Sequence, residues 1–388
     1  MFDKIIERKG TDSFKWDMNI EYFGREDVIP MWVADMDFAC AEPIVKAVQE
    51  RAKHPVFGYT VRKEDYYDAV LGWLDKRHGF VCPKEWLVFS PPGVIYAVWV
   101  MIQILTKPGD KIATLMPNYD PLFDAVTKTG RTLVTEAMIH QGHTYCIDFE
   151  KTEAMLSQDV KVLILSNPNN PTGRVYTKEE LKQLGRLCLK YDVYVIVDEI
   201  YSDFILPGHK HIPFASLGED FAKNSMCCYA TNKGFNLGGL AMATIVIADE
   251  GKRKAFEDVM MSAQTRLDNI FGAEALKAAY TKGEPWLNEA IAYVDGNKTY
   301  VSEYLKNNIP EIKMTDSEGT FLLWLDMRAL HLNVEALENF LINKAHLALT
   351  QGYEFGLEGE GFVRMNIACP RVTVEKAMEN LKRAVEEK

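Results

Sequence analysis

No apolar run in this chain approaches the roughly 18 residues that a bilayer crossing requires. The longest, residues 238–248 (GGLAMATIVIA), is too short and reads as a buried strand. Clusters of lysine and arginine are also missing. The formal net charge is −11 and the acidic excess is spread along the chain, so nothing marks a surface that would neutralise a phosphate backbone. Nucleic acid and membrane are therefore excluded as partners. The seven cysteines contain no CxxC pair and no His/Cys ligand spacing. Cys227 and Cys228 stand side by side in an apolar run, which suits buried thiols better than a disulfide framework or a zinc site. No metal site is expected, and a reducing cytoplasm is. The opening residues, MFDKIIERKGTDSFKWD, carry charges throughout and lack the apolar core of an export signal. Internal repeats and low-complexity tracts are absent as well.

What remains is the composition of an ordinary globular enzyme, with 47% apolar and 26% charged residues. A length of 388 residues exceeds one ordinary domain. From about Glu85 onward, short β-branched runs alternate with helical patterns: EWLVFS, a helix from about Gly93, KIATLM, VKVLILS, a helix at KEELKQLGRLCLKY, and VYVIVDE. That alternation predicts an α/β fold with a mainly parallel central sheet covered by helices on both faces. SMCCYA and MATIVIA extend the sheet, one of them antiparallel. From about Glu284 long charged helical patterns take over, followed by FLLWLDM and a closing helix, which reads as a smaller α+β domain. The expected division is a large domain over residues 50–283 and a small one built from residues 1–49 and 284–388.

In an open parallel sheet, ligands bind beyond the carboxyl ends of the strands, so residues just after each apolar run come first. Gly93 opens a helix without early polar side chains. Its lack of a Cβ lets the first-turn amides, with Val94 next, approach an anion that the helix dipole also favours. SNPNNPTG sets two Asn-Pro pairs in succession, and prolines bias the residues before them towards extended backbone, which presents Asn167 and Asn170 as rigid amides. An ordinary turn would look the same. Asp198 ends a nearly pure strand, where a carboxylate is costly unless it meets a cation or strong donor, or caps a helix. Tyr201 follows three residues later. Lys233 lies between Asn232 and Gly234 after another apolar strand, where an uncompensated ammonium is expensive to bury and a Schiff base removes the problem. By itself such a lysine is most often solvent-exposed.

Together and in this order, SNPNNPTG, VDEIY and TNKGFNLGGL resemble the class I/II aminotransferases of the fold-type-I pyridoxal-5'-phosphate (PLP) superfamily, over nearly the whole chain. GTDSFKWD, PMWVADMDF, VFGYT and VRMNIACPR further resemble the cystathionine β-lyase, or cysteine-S-conjugate carbon–sulfur lyase, branch. The resemblance implies that Lys233 is the Schiff-base lysine and that Asp198 keeps the pyridine nitrogen protonated. Asn170 and Tyr201 would hold the phenolic oxygen, and Tyr119, in MPNYDP, would stack on the ring. The amides of Gly93 and Val94 would bind the phosphate. Tyr59 would be donated across a homodimer interface to the neighbouring cofactor and substrate. Arg364 would grip the substrate carboxylate together with Asn170, although an arginine there also suits a surface ion pair.

Two departures stand out. Many relatives carry serine three residues before the lysine, but here Ala230 occupies that position, leaving Thr231 to supply a hydroxyl. The arginine eight residues after the lysine is replaced by Ala241. The implied reaction is β-elimination of S-substituted L-cysteines such as L-cystathionine, giving thiol, pyruvate and ammonia. The same residues also serve transamination, and a non-catalytic PLP-binding regulator is a further alternative, though it would be marked by a fused DNA-binding segment. Trp32 and Tyr96 are further candidates to face the substrate.

Overall fold

The computed structural model describes all of residues 1–388. Its centre is a seven-stranded sheet in the order Leu87–Ser90, Ala243–Ile247, Ser225–Tyr229, Tyr194–Asp198, Val160–Ser166, Lys111–Met116 and Thr132–Ala137. Only Ala243–Ile247 runs antiparallel to its neighbours; the pairings from Ser225–Tyr229 across to Thr132–Ala137 are all parallel. This is the expected sheet with its one reversed strand. The apolar run at residues 238–248 is a strand only from Ala243, a correction to its reading as a strand throughout. Gly238–Leu240 forms a 3-10 turn and Ala241 takes a left-handed conformation at φ 49°, so the backbone bends before it can pair.

The strands are apolar on both sides because both faces are covered. Alternate residues divide between two packed layers. Leu163, Leu165, Val195, Val197 and Cys227 enter the larger core, whereas Ile164, Ile196, Met226 and Cys228 enter the smaller one beneath the helix Val94–Leu105. Each such Leu, Ile or Val side chain contributes about 1.5–3 kcal/mol by leaving water. The helix Lys178–Lys190 begins at a reciprocal cap in which Thr177 accepts from the Glu180 amide and the Glu180 side chain accepts from the Thr177 amide. A polar face outward and Leu181, Leu184 and Cys188 inward seat it on the sheet.

A second, antiparallel sheet lies in the C-terminal part, in the order Lys313–Met314, Leu322–Asp326, Phe362–Asn366 and Thr350–Gln351. In it Arg364 stands opposite both Trp324 and Thr350. The 25-residue helix Glu284–Asn308 precedes this sheet and Arg371–Glu386 closes the chain. Near the N-terminus, Ile29–Pro30 pairs in parallel with Leu347–Ala348, tying the opening segment to the C-terminal part. The helix Glu42–Lys53 packs on Ile270–Lys282, and residue 50 lies inside it. No helix is long and apolar enough to cross a membrane.

Candidate active site

The carboxyl ends of the central strands open into a cavity of about 440 Å³, a size suited to a cofactor with its substrate. Gly93, Val94, Tyr119 and Asn170 line it, as do Asp198, Tyr201, Lys233 and Arg364. Eight sequence candidates from six separate stretches thus converge on one space. A larger cleft of about 680 Å³ runs past Arg62, Phe89 and Arg253, but it holds none of them, so volume alone does not choose the site.

Lys233 projects from the one-turn helix Thr231–Gly234 that follows the strand Ser225–Tyr229. Gly234 is required next to it, because a Cβ there would come within 2.9 Å of the Asp203 side chain. The Lys233 Nζ donates to the carbonyl of Ala34 at 2.7 Å and lies 5.8 Å from the centre of the Tyr201 ring. Burial, reinforced by the nearby charge of Arg364, lowers its pKa to about 8 against the opposing pull of Asp35 and Asp198. A sizeable fraction of the amine is therefore neutral near physiological pH.

Asp198 closes the strand Tyr194–Asp198 and is buried. Its Oδ1 accepts from the Ile200 amide at 3.1 Å, the only side-chain hydrogen bond it makes. Burial pushes its pKa up to about 6, opposed by that amide and by the charge of Lys233. The Tyr201 hydroxyl is buried without any partner, and burial pushes its pKa upward too. A half-satisfied carboxylate and an orphaned phenol in one cavity are groups waiting for a ligand.

Arg364 is buried and half engaged. Its Nη1 donates to Asn170 Oδ1 at 3.0 Å, and its Nη2 donates to the Trp32 carbonyl at 2.7 Å and to Thr350 Oγ1 at 3.1 Å. The guanidinium lies 4.9 Å from the centre of the Phe355 ring, and its Nε has no partner. The alternative of a surface ion pair is thus excluded: no carboxylate bonds it. Tyr119 is placed by Asn118, whose Oδ1 accepts from the Tyr119 amide and from Ser166 Oγ. Gly93 caps the helix Val94–Leu105 at φ 103°, a conformation that disfavours any side chain.

Several candidates fall elsewhere. Asn167 does not line the cavity; its Oδ1 accepts from the Tyr176 amide and so shapes the loop that presents Asn170. Thr231 is buried at the start of the lysine's helix and is not part of the cavity wall. Tyr59 is 94% exposed and also outside it. Trp32 does reach the cavity, whereas Tyr96 stacks on Trp99 and bonds Thr265 instead. Ala241 lines the wall, its carbonyl 4.0 Å from where a Cβ on Gly93 would stand. Sequence reasoning missed Ala34, Thr350 and Phe355. The only signal for them is the register that sets Thr350 opposite Arg364, which emerges from strand pairing.

Fold and site together define a family whose members are recognised by this strand-end lysine and carboxylate. Residues 26–381 match the family model "Aminotransferase class I and II", and the chain belongs to that family. Among its relatives, cystathionine beta-lyase PatB of Bacillus subtilis is 41% identical over 385 residues, covering 99% of both chains. Cystalysin from Treponema denticola, solved with a pyridoxal 5'-phosphate cofactor, superposes with a TM-score of 0.96 at 32% identity, covering 100% of this chain and 99% of that one. The PLP-bound C-S lyase from Staphylococcus hominis gives 0.94 at 32% identity, covering 99% and 98%.

Proposed function

We propose that the chain is a PLP-dependent carbon–sulfur β-lyase that cleaves S-substituted L-cysteines such as L-cystathionine into a thiol, pyruvate and ammonia. The observation that carries the reading is the convergence of Lys233, Asp198 and Arg364 on one cavity in a chain similar over its whole length to named β-lyases. The residues present fit PLP. Asp198 lacks a cationic partner for its free oxygen, the Tyr201 phenol lacks an acceptor, and Gly93 leaves a helix N-terminus open to a phosphate.

Bound PLP supplies an electron sink for the charge left when the α-proton departs. Asp198 would hold the proton on the pyridine nitrogen. Tyr201 and Asn170 would bind the phenolic oxygen, Tyr119 would stack on the ring, and the amides of Gly93 and Val94 would hold the phosphate. Arg364 orients the substrate through its α-carboxylate, the fork geometry fixing the plane of that group. Lys233, neutral in part because its pKa is near 8, takes the α-proton onto Nζ. The C–S bond then breaks, and the sulfur leaves with the electron pair as a thiolate. Water converts the released enamine to pyruvate and ammonia.

The site is completed in a homodimer, in which the exposed Tyr59 of one copy would reach its neighbour. The chain divides into a large and a small domain, the small one built from the N-terminal segment and residues 284–388; the first boundary, expected at residues 49/50, moves ahead of the helix Glu42–Lys53, which packs on Ile270–Lys282 of the large domain. Purified protein incubated with PLP and L-cystathionine, without any keto acid, is expected to release pyruvate. Strict dependence of turnover on an added keto acid would replace elimination by transamination.

A further inference from the structure

The N-terminal stretches GTDSFKWD and PMWVADMDF contain charges with no part in the chemistry above, yet those charges meet. Arg8 Nη2 lies 2.6 Å from Asp35 Oδ2, and Arg8 Nη1 lies 2.6 Å from Asp37 Oδ1. Lys15 Nζ lies 2.7 Å from Asp37 Oδ2 and 3.6 Å from Asp35 Oδ1, and Trp16 Nε1 donates to Asp37 Oδ1 at 2.9 Å. The Lys15 side chain is only 1% exposed. Burial would push the Asp37 pKa up, but Lys15 and Arg8 hold it below the usual carboxylate range. A buried ion pair, Lys15 with Asp37, flanked by the half-buried Arg8 and Asp35 is an expensive way to fill space, since apolar side chains of similar volume often pack as stably. What such a cluster adds is one fixed geometry.

That geometry belongs to residues 32–37, a strap lying across the reactive lysine. Asn366 Nδ2 donates to the carbonyls of Val33 and Asp35, and Asn236 exchanges hydrogen bonds with both the amide and carbonyl of Met36. Between these grips the Ala34 carbonyl accepts from Lys233 Nζ at 2.7 Å. The strap stands between the 440 Å³ cavity and a neighbouring one of about 670 Å³, and Val33, Ala34 and Lys233 line both.

We propose that the Arg8–Lys15–Asp35–Asp37 cluster is a positioning device that locks residues 32–37 so that the Ala34 carbonyl aims the Lys233 amine for proton transfer. The proposal rests on the reading of Lys233 as the base. A freed lysine amine turns about four side-chain bonds, and one backbone acceptor held by side chains on both sides removes much of that freedom. Lys15 and Asp37 touch neither cavity ligand nor lysine, so they act through the strap.

The test is hydrogen exchange and steady-state kinetics on full-length holoenzyme carrying Lys15→Met or Lys15→Arg. Lys15→Met is expected to speed amide exchange at residues 33–37 by about tenfold or more over and above what the measured change in global stability accounts for, which the central strand Val160–Ser166 reports. It should lower kcat by about 10²-fold and change KM by less than about threefold, the pattern of a misplaced catalytic group. Lys15→Arg should recover most of both. Should Lys15→Met fail to fold, Arg8→Gln, whose side chain is 22% exposed, is read by the same criteria. A looser strap with unchanged kcat, or losses in both that merely follow global stability, overturns the proposal. Rates are compared on whichever product the wild type forms, so failure of the lyase reading registers separately, as absence of pyruvate from cystathionine.

Discussion

Two lysines lie in the same corner of this molecule and are treated oppositely. Lys15 is buried and saturated, with Asp37 at 2.7 Å and Asp35 at 3.6 Å. Lys233 has one backbone carbonyl as partner, the positive charge of Arg364 close enough to matter, and a pKa lowered to about 8. A buried ammonium held against a carboxylate is an anchor, because it fixes the segment that carries its partner. An ammonium left short of partners is a base, because its neutral form costs less where it sits. The contrast teaches that neighbours, not residue type or depth, separate structural from chemical charge.

The comparison can be broken by exchanging the roles. Lys233→Ala should lower kcat/KM by more than about 10³-fold and abolish the visible absorption of bound PLP, while its unfolding free energy without cofactor does not fall, because the substitution removes a buried ammonium whose pKa folding lowers to about 8. A stability loss comparable to that of Lys15 would erase the distinction. Lys15→Met should do the reverse in chemical denaturation, costing about 3 kcal/mol, roughly a 150-fold change in the folding equilibrium, because Asp37 keeps only Arg8 as a buried counter-charge. Arg364→Lys sharpens the point for a third cation. Losing the planar fork should lower kcat/KM by about 30-fold, measured as pyruvate release, with the fold intact.

Titration of the cofactor-free protein tests the electrostatics directly. Asp198 is raised from 3.8 to about 6, so between about pH 4 and 6 the folded chain holds more protons than the unfolded one. This group's contribution to stability is then fullest below pH 4 and is lost as pH rises through 6, by about 3 kcal/mol. Lys233 is lowered from 10.5 to about 8, so stability is regained as pH rises from about 8 to 10.5. Asp198→Asn should remove the first change in a denaturation series and Lys233→Met the second. The smallest effect belongs to Tyr59→Phe, expected to weaken PLP binding about fivefold in a fluorescence titration, the value of one hydrogen bond.

Much of this was legible before any coordinates. The strand-end positions of Lys233, Asp198, Tyr201 and Asn170 follow from apolar runs broken by polar residues, and all four line one cavity. The reversed strand was anticipated too, although its start was placed too early because glycine and apolar residues alone do not announce the bend at Ala241. Asn167 was misjudged for a related reason: both Asn-Pro pairs look alike in sequence, and only the fold turns one amide onto the Tyr176 backbone and the other towards Arg364.

The sequence by itself determined the alternation of strands and helices and the order of motifs, because these rest on local periodicity; Lys233 stood out only through the resemblance that its motif TNKGFNLGGL carries. Tertiary structure alone decided what each charge meets. Lys15 and Lys233 are 218 residues apart in the chain (233 − 15), and no local rule pairs one with Asp37 and the other with the Ala34 carbonyl. Electrostatic environment is set by contacts between distant segments, and those exist only once the sheet, the strap and the C-terminal strands have packed together.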